Sequence, residues 1–494
     1  MGGFSFIDII VIIVYLLLMV AIGIYTAKFV KNTADFFIGG RRFGKFLSVM
    51  LSFGAGTHSD QAVAVISKTY KVGLSGIWYQ WLWLILTPFY WVITPILRRA
   101  RVVTTADFFR KRFDQSVASL YAFVIVIMMV IDIGTMLLGS GRIVEAISGG
   151  TISFAVAVIG MTAMFLIYGL SGGLVAAAIT DSIQGVLTVV LSFILFPFAI
   201  SKVGGFTGLH EKLSTASVDL FSLVSPGEIT VFFIIIVAFN GLINWPVQPH
   251  HLPIAASAKT EMNARVGMTF GNFIKRICTV AWAFTGLAAI ALLPNLENPD
   301  HAFGEMTRML LPTGLVGLLV ASVIASVQSS VDAVMVSAAG IFTRNIYHVY
   351  VAQDKSEKHY LMVGRIASFI VVLLGLVFAF AMPGVIAALE LVWEVPSLIG
   401  ISFWLGLFWR RFNPKAVWVS FISSLIAFII CDFHIFGVDV SLPIEIFSYL
   451  IAGFGGGIIT ALLTKKQEKE QLDNFYNDIK RPVVDDEKLT TDVL

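Results

Sequence analysis

The sequence predicts an all-α membrane protein of about thirteen transmembrane helices, with the N-terminus outside and the C-terminus in the cytoplasm. Three observations carry this expectation. Mean hydropathy is +0.87, and only 13% of the 494 residues are charged while 57% are hydrophobic. Soluble domains carry roughly 25% charged residues. Apolar runs of about 20 residues, the length that crosses a bilayer, recur along the chain. Lys and Arg gather in alternate connections between those runs, as the positive-inside rule requires.

Taken in order, the runs fall near 5–27, 47–70, 74–97, 117–140, 151–170, 174–201, 228–248, 277–294, 313–342, 359–382, 384–409, 415–436 and 444–464. The start, MGGFSFIDII, has no basic segment ahead of its apolar run, so span 1 is expected to be retained and not cleaved as a signal. The connection after span 1 holds Lys28, Lys31, Arg41, Arg42 and Lys45; that after span 3 holds Arg98, Arg99, Arg101, Arg110, Lys111 and Arg112. After span 7 come Lys259, Arg265, Lys275 and Arg276, after span 9 Arg344, Lys355 and Lys358, and after span 11 Arg410, Arg411 and Lys415. The opposite connections are sparse, which puts the N-terminus outside. Residues 1–464 therefore read as one polytopic membrane domain, and 465–494 as a charged, solvated cytoplasmic tail. The net charge of +3 speaks to topology and not to nucleic acid. Cys278 and Cys431 sit in separate apolar runs with no metal spacing.

Two spans are interrupted. Span 2 contains Gly54-Ala55-Gly56-Thr57-His58-Ser59-Asp60, and span 7 contains Asn240-Gly241 and Asn244-Trp245-Pro246. Broken helices at matching places in two halves free backbone carbonyls to bind ions and solute. Spans 2 and 7 lie five apart, as expected if spans 2–6 and 7–11 form an inverted repeat. His58, Asn240, Asn244 and Trp245 are candidate solute contacts at these breaks. His58 could equally satisfy free backbone groups there.

Span 9 carries the adjacent hydroxyls Ser329 and Ser330, with Asp332 following. Hydroxyl and carbonyl oxygens converging at mid-membrane suit a hard monovalent cation. Membrane hydroxyls also bond back to the carbonyl four residues earlier, so both readings stand on the residues alone. Asp332 shares a side of the helix with Ser329.

Several motifs then converge. Thr33-Ala34-Asp35-Phe36-Phe37 with Gly39-Gly40-Arg41, Thr105-Ala106-Asp107-Phe108-Phe109 with Arg112-Phe113, and Gly172-Gly173-Leu174 with Thr180-Asp181-Ser182 and Gln184 form one set. Gln248-Pro249-His250 and Ser329-Ser330 with Phe342-Thr343 and Ile346-Tyr347 extend it. Together they resemble the sodium:solute symporter family, which includes sodium/proline and sodium/glucose transporters. The resemblance implies a LeuT-type inverted-repeat core, sodium-driven solute uptake by alternating access, and residence in the plasma membrane. It also implies a sodium site made of the Ser329 and Ser330 hydroxyls, the Ser326 carbonyl and two span-2 carbonyls at Thr57 and Asp60. Asp181 matches the family's span-6 aspartate, which serves sodium coupling or release.

Extra carboxylates depart from that pattern. Glu390 and Glu394 stand four apart in span 11 and share a helical face. Glu394, the deeper of the two, is a further candidate solute contact. Proton coupling through Asp60, Asp332 or Glu394 is therefore an alternative, and a transporter-like solute sensor is another. Trp83, Trp91 and Trp393 read as interface or packing residues, and Asp132 has no partner nameable from sequence. Gly54-Ala55-Gly56 is no phosphate loop, because no Gly-Lys-Ser/Thr follows. No hydrolase motif appears either.

Overall fold

The computed structural model describes residues 4–27, 43–102, 104–169, 173–214, 219–435, 437 and 440–483. Helices make up the regular structure, and the described residues contain no strand beyond two isolated bridges. In chain order the helices are α1 (Phe6–Ala27), α2 (Lys45–Ala55), α3 (Ser59–Val72), α4 (Trp78–Arg99), α5 (Thr105–Arg112), α6 (Gln115–Ile147) and α7 (Phe154–Gly169). There follow α8 (Gly173–Val203), α9 (Gly205–Leu213), α10 (Val231–Asn244), α11 (His251–Ser257), α12 (Glu261–Leu292) and α13 (Ala302–Leu310). The last are α14 (Leu315–Ile341), α15 (Glu357–Ala381), α16 (Val385–Phe408), α17 (Pro414–Asp432), α18 (Leu442–Leu463) and α19 (Lys469–Lys480).

Among the described residues nine helices are long and apolar enough to cross a membrane, or ten if the pair Val231–Val247 and His251–Ser257, bent by 56°, counts as one span. Shorter apolar helices cover Phe6–Met19, Lys45–Ala55 and Phe154–Met164. The protein is thus a multi-pass membrane protein. Both expected interruptions are present. Span 2 becomes α2 and α3, separated at Gly56–His58; span 7 becomes α10 and α11, joined through a 3-10 turn at Trp245–Val247.

Helix ends follow local chemistry. Thr104 and Asp107 form a reciprocal capping box at α5, and Asp114, Thr230, Thr260 and Asn413 each accept a backbone N–H at an N-cap. Such caps satisfy donors that the helix itself leaves open. The Thr105–Phe109 motif is explained here. Asp107 caps α5 and accepts from Arg344 Nε at 3.2 Å, while Phe108 stacks on Phe403 at 4.7 Å.

The centre of the molecule is the long helix α12, which packs on α2, α3, α4 and α8, and α14, which packs on α8, α1, α6 and α15. Both cross the two halves of the broken span 2. The sequence assigns Lys275 and Arg276 to a cytoplasmic connection. The structure places both inside α12, buried. Span 8 extends well to the N-terminal side of its expected start, because Glu261–Ile274 is helical although it is too polar to read as a span.

The tail is docked where it is described. On α19 Leu472 and Phe475 are buried, Phe475 meets Phe108 edge-on at 5.3 Å, and Asp478 pairs with Lys111 at 2.7 Å. Arg112, completely buried, donates to the carbonyls of Gly406 and Phe412 and to Gln467 Oε1. Val483 N reaches Glu261 Oε1 at 2.9 Å, so this segment ties to α12 as well as to α5 and does not hang in solvent.

Candidate functional site

Two glycines within three residues lower helix propensity at Gly54–Gly56, and α2 ends there. Thr57 has no regular structure and His58 is in extended backbone before α3 begins at Ser59. The carbonyls released point to two different neighbours. Gly54 O accepts from Ser330 Oγ of α14 at 3.3 Å, and Ser330 Oγ is also 3.1 Å from Ser326 O. A hydroxyl has one proton to give. Two carbonyls and the Ser330 oxygen therefore converge where all three residues are shielded from solvent, with Gly54 O also accepting from the backbone N–H groups of Gly56 and, at 3.4 Å, Thr57. That is an oxygen-rich nest suited to a small cation. The hydroxyls of Thr57 and Ser59 are buried with no hydrogen-bond partner among the described residues.

The sequence-derived ligand set is partly reassembled. Ser326, Ser329 and Ser330 are buried on α14 beside the span-2 break. Thr57 lies within the break and Asp60 in the first turn of α3, but the span-2 carbonyl that meets Ser330 is that of Gly54. The Asp60 side chain turns to His58, with Nδ1 to Oδ1 at 3.2 Å. The side chain of Asp181 and the first-loop motif at 33–41 lie outside the described residues.

A cavity of about 90 Å³ lies between the two breaks. From span 2 it takes His58, Asp60 and Gln61, from α4 Gln80, Trp83 and Tyr90, and from α6 Met128 and Asp132. The second break supplies Trp245, Gln248, His250 and His251; α12 supplies Asn272, Lys275 and Arg276; α16 supplies Leu389, Val392 and Trp393. Its volume is below the roughly 300–1,000 Å³ of ordinary small-molecule pockets, so a solute enters only if the surrounding helices part. Aromatic faces make one wall: Trp245 stacks on Tyr90 at 4.2 Å and on His251 at 4.4 Å. Charged groups of both signs make the other. Lys275 Nζ donates to Gly56 O, and Arg276 Nη1 donates to Gln80 O at 3.0 Å.

The remaining candidates separate. His58 and Trp245 line the cavity. Asn240 and Asn244 do not: their amide nitrogens both donate to Trp393 O, at 3.0 and 2.9 Å, and Tyr449 donates to Asn240 Oδ1 at 2.8 Å. These amides brace α10 against α16 and α18. Glu394 is buried away from the cavity lining, among the charges of Glu445, Glu390 and Asp432, and its Oε1 has no hydrogen-bond partner among the described residues. Glu390 instead accepts from Tyr79 at 2.6 Å, and Tyr79 lies 5.2 Å from Trp393. Lys68, which pairs with Glu228 at 2.6 Å, lies 5.3 Å from the same Tyr79 ring.

Sequence reasoning missed Lys275, Arg276, Gln80, Tyr90 and Asp132 as cavity residues, and took Trp83 and Trp393 for packing. A signal existed for the two cations: Lys275-Arg276 is flanked by Phe273-Ile274 and Ile277-Cys278, an unusual setting for a loop.

Comparison with known proteins agrees with this architecture. The model of the sodium:solute symporter family matches residues 36–423. The chain is 26% identical over 465 residues to a sodium/glucose cotransporter of Vibrio parahaemolyticus, covering 86% of this chain and 84% of that protein. It is 24% identical over 476 residues to the osmoregulated proline transporter OpuE of Bacillus subtilis, covering 92% and 94%. Among solved structures, an outward-open sodium-coupled sialic acid symporter superposes with a TM-score of 0.81 at 21% identity, covering 94% of this chain and 99% of that one. MhsT bound to L-phenylalanine superposes with a TM-score of 0.52 at 12% identity, covering 85% of this chain and 98% of that one, which shows a shared fold.

Proposed function

The chain belongs to the sodium:solute symporter family, and we propose that it couples sodium entry to uptake of a small polar organic solute by alternating access. The convergence of Ser330 Oγ, Ser326 O and Gly54 O is the observation that carries this reading. Sodium binds there between α14 and the span-2 break, with the Ser329 hydroxyl completing the α14 side. Carbonyls of the break beyond Gly54, at Thr57 and Asp60, close the shell as the site rearranges. Asp181 serves release toward the cytoplasm.

The solute occupies the cavity between the two breaks. His58 and Trp245 contact it, against the aromatic wall of Tyr90 and Trp393. The relatives named above carry polar organic solutes, and the mixed charge of this cavity suits a neutral or zwitterionic one over an anion. The layout we adopt is thirteen spans in the plasma membrane, N-terminus outside, with α19 on the cytoplasmic side. Each positive charge entering with the membrane potential adds about 2.3 kcal/mol per 100 mV to the driving force.

A specific observation also favours proton participation. Asp60, Asp132 and His58 are buried in one cavity, and His58 and Asp60 are hydrogen-bonded. Thermal melting of the purified protein in sodium or choline, at two pH values, separates the two. Stabilisation by sodium that is lost in Ser330→Ala supports sodium coupling. No sodium effect, with a strong pH effect, transfers the coupling to these titratable groups.

A further inference from the structure

The span-2 break releases carbonyls toward two positions, and the protein fills one of them itself. Gly54 O faces the α14 hydroxyls. Gly56 O, two residues on, faces α12, where it accepts from Lys275 Nζ and, at 3.3 Å, from Gln61 Nε2. Lys275 is only 7% exposed, and the carboxylates lining the same cavity are Asp60 and Asp132, exposed by 1% and 7%. An unwound carbonyl and two buried carboxylates around one cavity are the donors a hard cation takes. Here the cation is an ammonium on a covalent tether. Two buried carboxylates would not stay ionised in one dry cavity without opposite charge beside them. Counted by residue type, Lys275 and Arg276 set two basic groups against the two carboxylates lining the cavity.

We propose that Lys275 is a tethered cation occupying a second cation position at the span-2 break, and that it thereby limits the protein to a single sodium ion per cycle. This rests on the sodium-coupled reading above. Removing the ammonium leaves Gly56 O, Asp60 and Asp132 facing the cavity with an uncompensated negative charge, a position that sodium can enter from solution. Lys275 on this account positions the break and sets the ion count; it does not form part of the Ser330 nest.

The test counts ions with sodium itself as the probe. Radiolabelled sodium binding is measured on the purified full-length chain in lipid nanodiscs, with thermal melting over a sodium titration in parallel. The wild type is expected to bind one ion with a Hill coefficient near one. Lys275→Met is expected to bind two, with a Hill coefficient above one, and Lys275→Arg to remain at one. Lys275→Met combined with Asp132→Asn restores the charge balance and is expected to return to one. A wild type that binds two ions overturns the proposal without any variant, so poor folding of Lys275→Met does not protect it. A folded Lys275→Met that still binds one ion also overturns it, while leaving sodium coupling intact. Absence of sodium binding in the wild type removes the parent reading, and this inference with it.

Discussion

The two broken spans look alike in sequence and do different things in the structure. At the first break the carbonyls of Gly54 and Gly56 face a hydroxyl and an ammonium from distant helices and the amide of nearby Gln61. At the second, the turn is tied down: His251 Nδ1 lies 2.7 Å from Trp245 O, and Tyr121 donates to Val247 O at 2.7 Å. Asn240 and Asn244 face away, onto Trp393 O. The first break turns its carbonyls toward polar side chains, and the second is a braced aromatic wall. Small residues and amides in a span thus announce a break, but whether its carbonyls are left for a ligand depends on which donors neighbouring helices bring.

The sharpest way to break this contrast is to press on each break from behind. A Cβ at Gly139 would lie 2.5 Å from Asp60 Cα, and one at Gly400 would lie 2.3 Å from Ile243 O. Gly139→Ala is expected to abolish sodium-dependent stabilisation, because α3 must move. Gly400→Ala is expected to lower stability by about 1–3 kcal/mol and to keep the sodium response. Equal effects on the sodium titration would erase the distinction.

Next in size, Ser330→Ala removes an oxygen that would contact the ion. Hydrogen bonds to charged groups are worth about 1.5–3 kcal/mol, so half-maximal stabilisation should shift to roughly 10–100-fold higher sodium. Asn244→Ala tests the other break. Interhelical polar contacts in membranes average about 0.6 and reach about 1.7 kcal/mol; a loss in that range, read by melting with an unchanged sodium midpoint, is expected. The smallest effect belongs to Ser326→Ala. Its hydroxyl donates to Val323 O at 2.9 Å, and it is its carbonyl that meets Ser330 Oγ, so the sodium midpoint should stay within about twofold, a few tenths of a kcal/mol. A large shift there would show that the hydroxyl turns to the ion.

What could be read from the chain alone was whatever a short window encodes. Apolar length, the Gly54–Gly56 interruption, the Trp245-Pro246 turn and the Ser329-Ser330 pair are local, and the two interruptions appear in the structure where the sequence places them. Helix period and helix breaking act over a few residues, so neighbours in sequence suffice to determine them. Which face of a helix meets the cavity is a different matter. Lys275 meets Gly56 across 219 residues, and Asn244 meets Trp393 O across 149. Glu390 and Glu394 share a helix yet answer to Tyr79 and to Glu445 respectively. The packing of α12 on the broken span, and of α16 on α10 and α18, decided these pairings, because burial leaves each polar group only the partners that distant helices deliver. The sequence determined that the helix breaks, and the packing of the other helices determined what the break can bind.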